Sequence, residues 1–151
     1  MTRALVAVGA LLALFFVVLG IVVFSTREED RITAHNLLSE DLTRAIQLSE
    51  GAVDLRHVAD FPWDRVLVVA PGAPRDAVSD ALGSDYNGVL PFGSRGPVFV
   101  FASGRTVARI ADYRGRGVFR GFEPPVDELR RDRAVLRVNN LVVTPKRAKP
   151  G

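Results

Sequence analysis

Few side chains in this sequence have the type and spacing that chemistry needs. Asp60 and Asp64 flank Pro62-Trp63 and could act as a general acid–base pair if the turn brought them to one side. The structural alternative, which the sequence favours, has Asp64 bracing the turn and Trp63 covering the edge of the core. His35 and His57 have no partners at metal-ligand spacing, and the chain contains no cysteine, so neither a zinc site nor a disulfide framework is expected. His35 is expected to be exposed, and His57 to lie on a strand. Gly93-Ser94-Arg95-Gly96 is too short for a phosphate loop and lacks the following Lys-Ser/Thr, so it reads as a connector. No nucleophile elbow, paired-histidine helix or dinucleotide fingerprint occurs. This inventory predicts no catalytic residue, no metal and no cofactor, and therefore a protein that is not an enzyme.

Charge is distributed unevenly. Residues 26–85 hold twelve acids and six basic residues, net −6, whereas residues 86–151 hold five acids and thirteen basic residues, net +8. Arg105, Arg109, Arg114, Arg116 and Arg120 form the first basic cluster, and arginines at 130, 131, 133 and 137 the second. The first cluster is the candidate interaction surface, suited to anionic lipid head groups, an acidic wall polymer or an acidic protein. The competing reading is that the two halves neutralise each other within the fold, leaving the overall +3. Nucleic acid is not an expected partner, because only Tyr113 and Phe119 are interleaved with these arginines as stacking aromatics.

These residues follow a segment of another kind. After a short tail at residues 1–3, Ala4 to Phe24 is a run of 21 residues with no charge and no strong polar group. As a helix it spans roughly 31 Å, about the hydrocarbon thickness of a bilayer, and in lipid only a helix satisfies its own backbone. The expectation is a transmembrane helix over 4–24, with the bilayer as its partner. A cleaved signal peptide is the rival, with Val23 and Ser25 at the −3 and −1 positions, but its apolar region is usually shorter, about 7–15 residues. Arg3 before the run and the acids Glu28, Glu29 and Asp30 after it favour a signal anchor with its N-terminus in the cytoplasm and the domain outside, although lysine and arginine counts alone do not decide orientation.

Residues 25–31 are a polar collar, and the folded domain is expected over 32–144. Leu38, Leu42, Ala45 and Ile46 recur at helical spacing between Ile32 and Leu48, with Ser39 as a possible N-cap and Gly51 as the stop. This apolar stripe is expected to pack on the domain's own sheet, being too short for a coiled coil. Val53–Ala59 alternates loosely as a strand, and the continuous apolar run Val66–Ala70 reads as a central one. Arg75–Leu82 is expected as a short helix closed by Gly83. A hairpin follows, with arms Val98–Ala102 and Thr106–Ala111 turning at Ser103-Gly104. Residues 114–125 read as a loop and Asp127–Arg133 as a helical turn. A second hairpin turns at Asn139-Asn140, and residues 145–151 read as a basic, disordered tail. The sum is an α+β fold with a mostly antiparallel sheet and one or two helices.

The residues Phe61, Trp63, Asp64, Pro71, Pro74, Leu82 and Gly83 carry a resemblance. The pattern, aromatic-x-Trp-Asp, strand, Pro, turn, Pro, short helix ending Leu-Gly, then a hairpin, resembles a group of small, uncharacterised, membrane-anchored bacterial proteins. It covers residues 55–112 and departs at Gly72, where the pattern has a tyrosine. The resemblance implies a cell-envelope setting and a structural role for the motif. The helix-then-hairpin order is also similar, at fold level only, to small envelope modules that bind other proteins, such as the lipoprotein subunit of the outer-membrane assembly machinery.

Overall fold

The structure, a computed structural model, describes residues 36–88, 90 and 95–147. The expected membrane span, the collar and His35 lie outside them. Among the described residues no helix is long and apolar enough to cross a membrane.

The chain order is α1 (Asn36–Leu48), β1 (Gly51–Asp54), α2 (Leu55–Val58), β2 (Arg65–Val69), α3 (Arg75–Leu82), β3 (Val98–Ser103), β4 (Thr106–Asp112), β5 (Val118–Phe119), β6 (Val126–Arg130), a 3-10 turn (Arg131–Arg133), β7 (Val135–Asn139) and β8 (Val142–Pro145). The fold is α+β with two mostly antiparallel sheets, ordered β4-β3-β2-β6 and β1-β7-β8-β5. Among the described residues the one parallel pair is β5 on β8.

The first sheet is covered on both faces. On one side Leu67, Val69, Val98, Val100 and Ile110 pack against Val78 and Leu82 of α3. On the other, Val66, Val68, Phe99, Phe101 and Leu129 pack against α1 and the inner face of the second sheet. Because β2 and β3 are buried on both faces, their sequences are continuous apolar runs rather than alternating ones. The stripe Leu38, Leu42 and Ile46 of α1 is buried in this core, so the helix packs on its own domain as expected.

Other expectations shift. The segment Val53–Ala59 is not one strand. It breaks at Asp54, whose carboxylate accepts from the Arg56 N–H at 3.0 Å and N-caps α2. His57 therefore sits on a helix, with its side chain 85% exposed. Of the helical turn expected over Asp127–Arg133 only Arg131–Arg133 forms, as a 3-10 turn, while Val126–Arg130 is a strand, because β2 offers a pairing edge that local propensity does not reveal. The tail is also partly built in. Pro145 closes β8, the Lys146 N–H donates to Val135 O at 2.8 Å, and Arg147 is ion-paired.

Both hairpin turns lie one residue beyond their expected positions. Ser103 pairs with Thr106, so Gly104-Arg105 makes the first turn, and Asn139 pairs with Val142, so Asn140-Leu141 makes the second. Asn140 and Leu141 have φ of 47° and 60°, as a two-residue turn requires. Asparagine tolerates this conformation, whereas leucine's Cβ opposes it. Leu141→Gly is expected to stabilise the domain by about 0.5–1 kcal/mol, the relief of strain exceeding the entropic cost of glycine. Chemical denaturation of the two proteins measures the difference.

Candidate functional site

The aromatic-x-Trp-Asp segment is drawn together with the tip of the β3–β4 hairpin. Trp63 is buried, its Nε1–H donating to Ala59 O at 3.2 Å and its ring meeting Phe101 edge-on at 5.2 Å. Phe61 meets the same Phe101 ring at 5.5 Å. Arg131 and Arg109 stand over the Trp63 and Phe61 rings, at 5.4 and 4.9 Å. Asp64 Oδ2 accepts from the Gly104 N–H at 2.7 Å. Arg65 donates to Gly104 O, to Ala81 O and Leu82 O at the end of α3, and to Glu128 Oε2, at 2.8 to 3.2 Å. The Asp64 carboxylate thus fixes the hairpin tip. The neighbouring Arg65, which sequence reasoning did not single out, ties the helix, the hairpin and the edge strand to one guanidinium.

The remaining motif residues shape the link to α3. The Ala73 N–H donates to Ala70 O at 3.1 Å across Pro71-Gly72, with Gly72 at φ 78°. Proline followed by a positive-φ residue is the type II turn pattern, and a tyrosine in place of Gly72 would strain it. Pro74 precedes α3 in an extended conformation, Leu82 is buried in the core beneath the helix, and Gly83 closes it in the left-handed region.

The candidate interaction arginines are not one surface. Arg105 occupies the β3–β4 turn and Arg109 lies on β4 beside Phe61. Arg114, Arg116 and Arg120 follow the far end of β4, whose seven residues place them about 23 Å along the strand from Arg105. Arg114 is committed to the fold. Its Nε–H donates to Asp112 Oδ2 at 2.7 Å, its Nη2 to Asn36 Oδ1 at 2.9 Å, and its backbone N–H to Thr43 Oγ1 at 3.1 Å. Ser39, fully buried inside α1 rather than at its cap, donates to Asp112 Oδ1 at 2.7 Å and accepts from the Asp112 N–H at 3.0 Å. Burial pushes the Asp112 carboxyl up, but the hydrogen bonds from Arg114 and Ser39 outweigh it and hold it below the ordinary 3.8.

The alternation Arg114-Gly115-Arg116-Gly117 has a packing cause. The loop wraps the buried Tyr113 ring, whose hydroxyl donates to Arg116 O at 2.6 Å. A Cβ on Gly115 would fall 2.6 Å from that hydroxyl, so glycine faces inward there. Arg116 and Arg120 are exposed beside Val118, itself 51% exposed.

Among the described residues no group of three histidines or acids could hold a metal ion. A concavity of about 620 Å³ runs along β6 between Glu123 and Arg133 and is closed on one side by Lys146 and Arg147. A second, about 450 Å³, has Arg95 at its rim and Phe119, Phe122 and Pro97 among its walls. Tyr86, buried on the α3 side, has a hydroxyl without a hydrogen-bond partner, and burial raises its pKa above 10. No family model, no curated protein and no solved structure matches the chain.

Arg65→Lys is expected to cost about 1.5–3 kcal/mol of unfolding free energy, because an ammonium cannot serve three carbonyls and a carboxylate at once. Glu128→Gln should cost less than about 1 kcal/mol, since that carboxylate is 42% exposed; urea titration compares them. Asp112→Asn is expected to cost about 2 kcal/mol near neutrality. A lowered folded-state pKa stabilises above the unfolded value and ceases to do so as pH falls through the folded one. The gap between wild type and variant should therefore narrow below about pH 4, which denaturation at a series of pH values reads directly.

Proposed function

We propose that the chain is a single-pass membrane protein of the bacterial cell envelope, anchored by Ala4 to Phe24, with its N-terminus in the cytoplasm. Its α+β domain serves outside the cytoplasm as a non-enzymatic interaction module for a protein or an anionic polymer. The observation that carries this reading is the uncharged run of 21 residues, long enough to span a bilayer. Two features support the second half. The carboxylates of Asp54, Asp64, Asp112 and Asp127 are each engaged by hydrogen bonds within the fold. The aromatic-x-Trp-Asp motif is used for packing, as its resemblance to envelope proteins implies.

A second reading, binding to anionic lipid or wall polymer, is favoured by the outward Arg116 and Arg120 beside Val118. It uses the far end of β4 and not Arg105. Salt-dependent retention on anionic vesicles that is lost in Arg116→Glu/Arg120→Glu supports it; retention indifferent to salt excludes it.

Topology tests the main reading. A C-terminal reporter active only outside the cytoplasm should function, with the chain at full length in the membrane fraction. Activity only of a cytoplasmic reporter would reverse the orientation, and a shortened chain free of membranes would replace the anchor with a cleaved signal.

A further inference from the structure

The two edges of the first sheet are treated differently. On β4 the outward backbone N–H of Asp112 meets Ser39 Oγ, and just past the strand that of Arg114 meets Thr43 Oγ1, so α1 covers this edge. Covering an edge with a helix removes a template for strand addition. β6 has no such cover among the described residues. The bonds Ala70 N–H to Pro125 O and Arg131 N–H to Asp64 O fix the phase of its pairing with β2. Residues 125, 127, 129 and 131 face β2, so Val126, Glu128 and Arg130 direct their N–H and C=O groups away from the sheet. The 620 Å³ groove is lined by all five residues of β6 in succession. Successive residues of a strand point to opposite faces, so a groove touching every one of them runs along the open edge.

We propose that this edge pairs with the β6 edge of a second copy of the chain, joining two four-stranded sheets into one. The charge pattern selects both the occupant and the register. A closed pair requires an antiparallel, two-fold arrangement. Centred on Glu128, the pairing would oppose Glu128 to itself, which like charges disfavour. Moved by one residue, to centre on Leu129, it sets Glu128 of each copy opposite Arg130 of the other, with about four backbone hydrogen bonds between the strands. The acids near the groove do not disturb this. Glu123 and Asp127 are paired with Arg147, and Glu128 is held beside Arg65 on the α3 face. This interface goes beyond the anchored reading and does not depend on it.

The test uses the full-length chain in detergent, carrying two different tags, with co-capture as the readout. Wild type should capture wild type. Arg130→Glu and Glu128→Arg should each lose self-capture on the order of five-fold, while Arg130→Glu mixed with Glu128→Arg should recover it, since both cross-strand pairs are then again opposite in sign. Arg130→Pro separates pairing from folding. Arg130 already has φ −70°, the value a proline ring enforces, and its N–H faces away from β2, so the variant should keep its melting temperature and lose capture. Wild-type capture unchanged in Arg130→Pro would overturn the proposal, as would a mixed pair no better than Arg130→Glu alone. Absence of wild-type self-capture would also overturn it.

Discussion

Two adjacent strands that are apolar on both faces set the terms for the rest of this domain. Val66 to Val69 of β2 and Val98 to Ala102 of β3 are buried on either side of the sheet they share. A sheet of this kind cannot leave a face to water, as an amphipathic antiparallel sheet does. One face is closed by α3 through Val78 and Leu82, the other by α1 and the second sheet. The placement of the polar links follows from the same demand, because each covering element must be held at a fixed position over the strands.

Those links are made by charged and hydroxyl groups far apart in sequence. Arg65 and Asp64 grip Gly104 from both its carbonyl and its amide, some forty residues away. Ser39 reaches Asp112, and Arg114 closes the chain of contacts back to Asn36. A buried carboxylate without partners is costly, and Asp112 avoids that cost because Arg114 supplies a guanidinium and α1 a hydroxyl where β4 ends. Asp64, Arg65, Ser39 and Asp112 are thus used in joining the layers. The same logic divides the basic residues, leaving Arg116 and Arg120 outward while Arg114, though half exposed, is tied to Asp112 and Asn36.

Strand edges show the complementary side of this arrangement. The helix that buries the inner face also satisfies outward amides at one edge of the first sheet, so a single element serves packing and edge protection. Among the described residues no second helix does this for β6. Its outward residues alternate in charge around a buried leucine, a pattern that repels a copy in one register and accepts it in the next.

The sequence by itself determined the elements whose signals are local. Helical spacing located α1, a continuous apolar run marked β2 as central, Gly83 ended α3, and the turn residues located both hairpins to within one position. It also determined the membrane-length run at the N-terminus and the absence of cysteine. Tertiary structure decided what local signals cannot encode. Val126–Arg130 became a strand because β2 presented an unpaired edge, Ser39 became a buried partner because Asp112 stood opposite it, and the arginines separated because β4 extends between them. The physical reason is common to all three: pairing, polar satisfaction and surface clustering depend on which distant residues meet in space. A one-dimensional pattern fixes periodicity and stops, and leaves those meetings to the packing of layers.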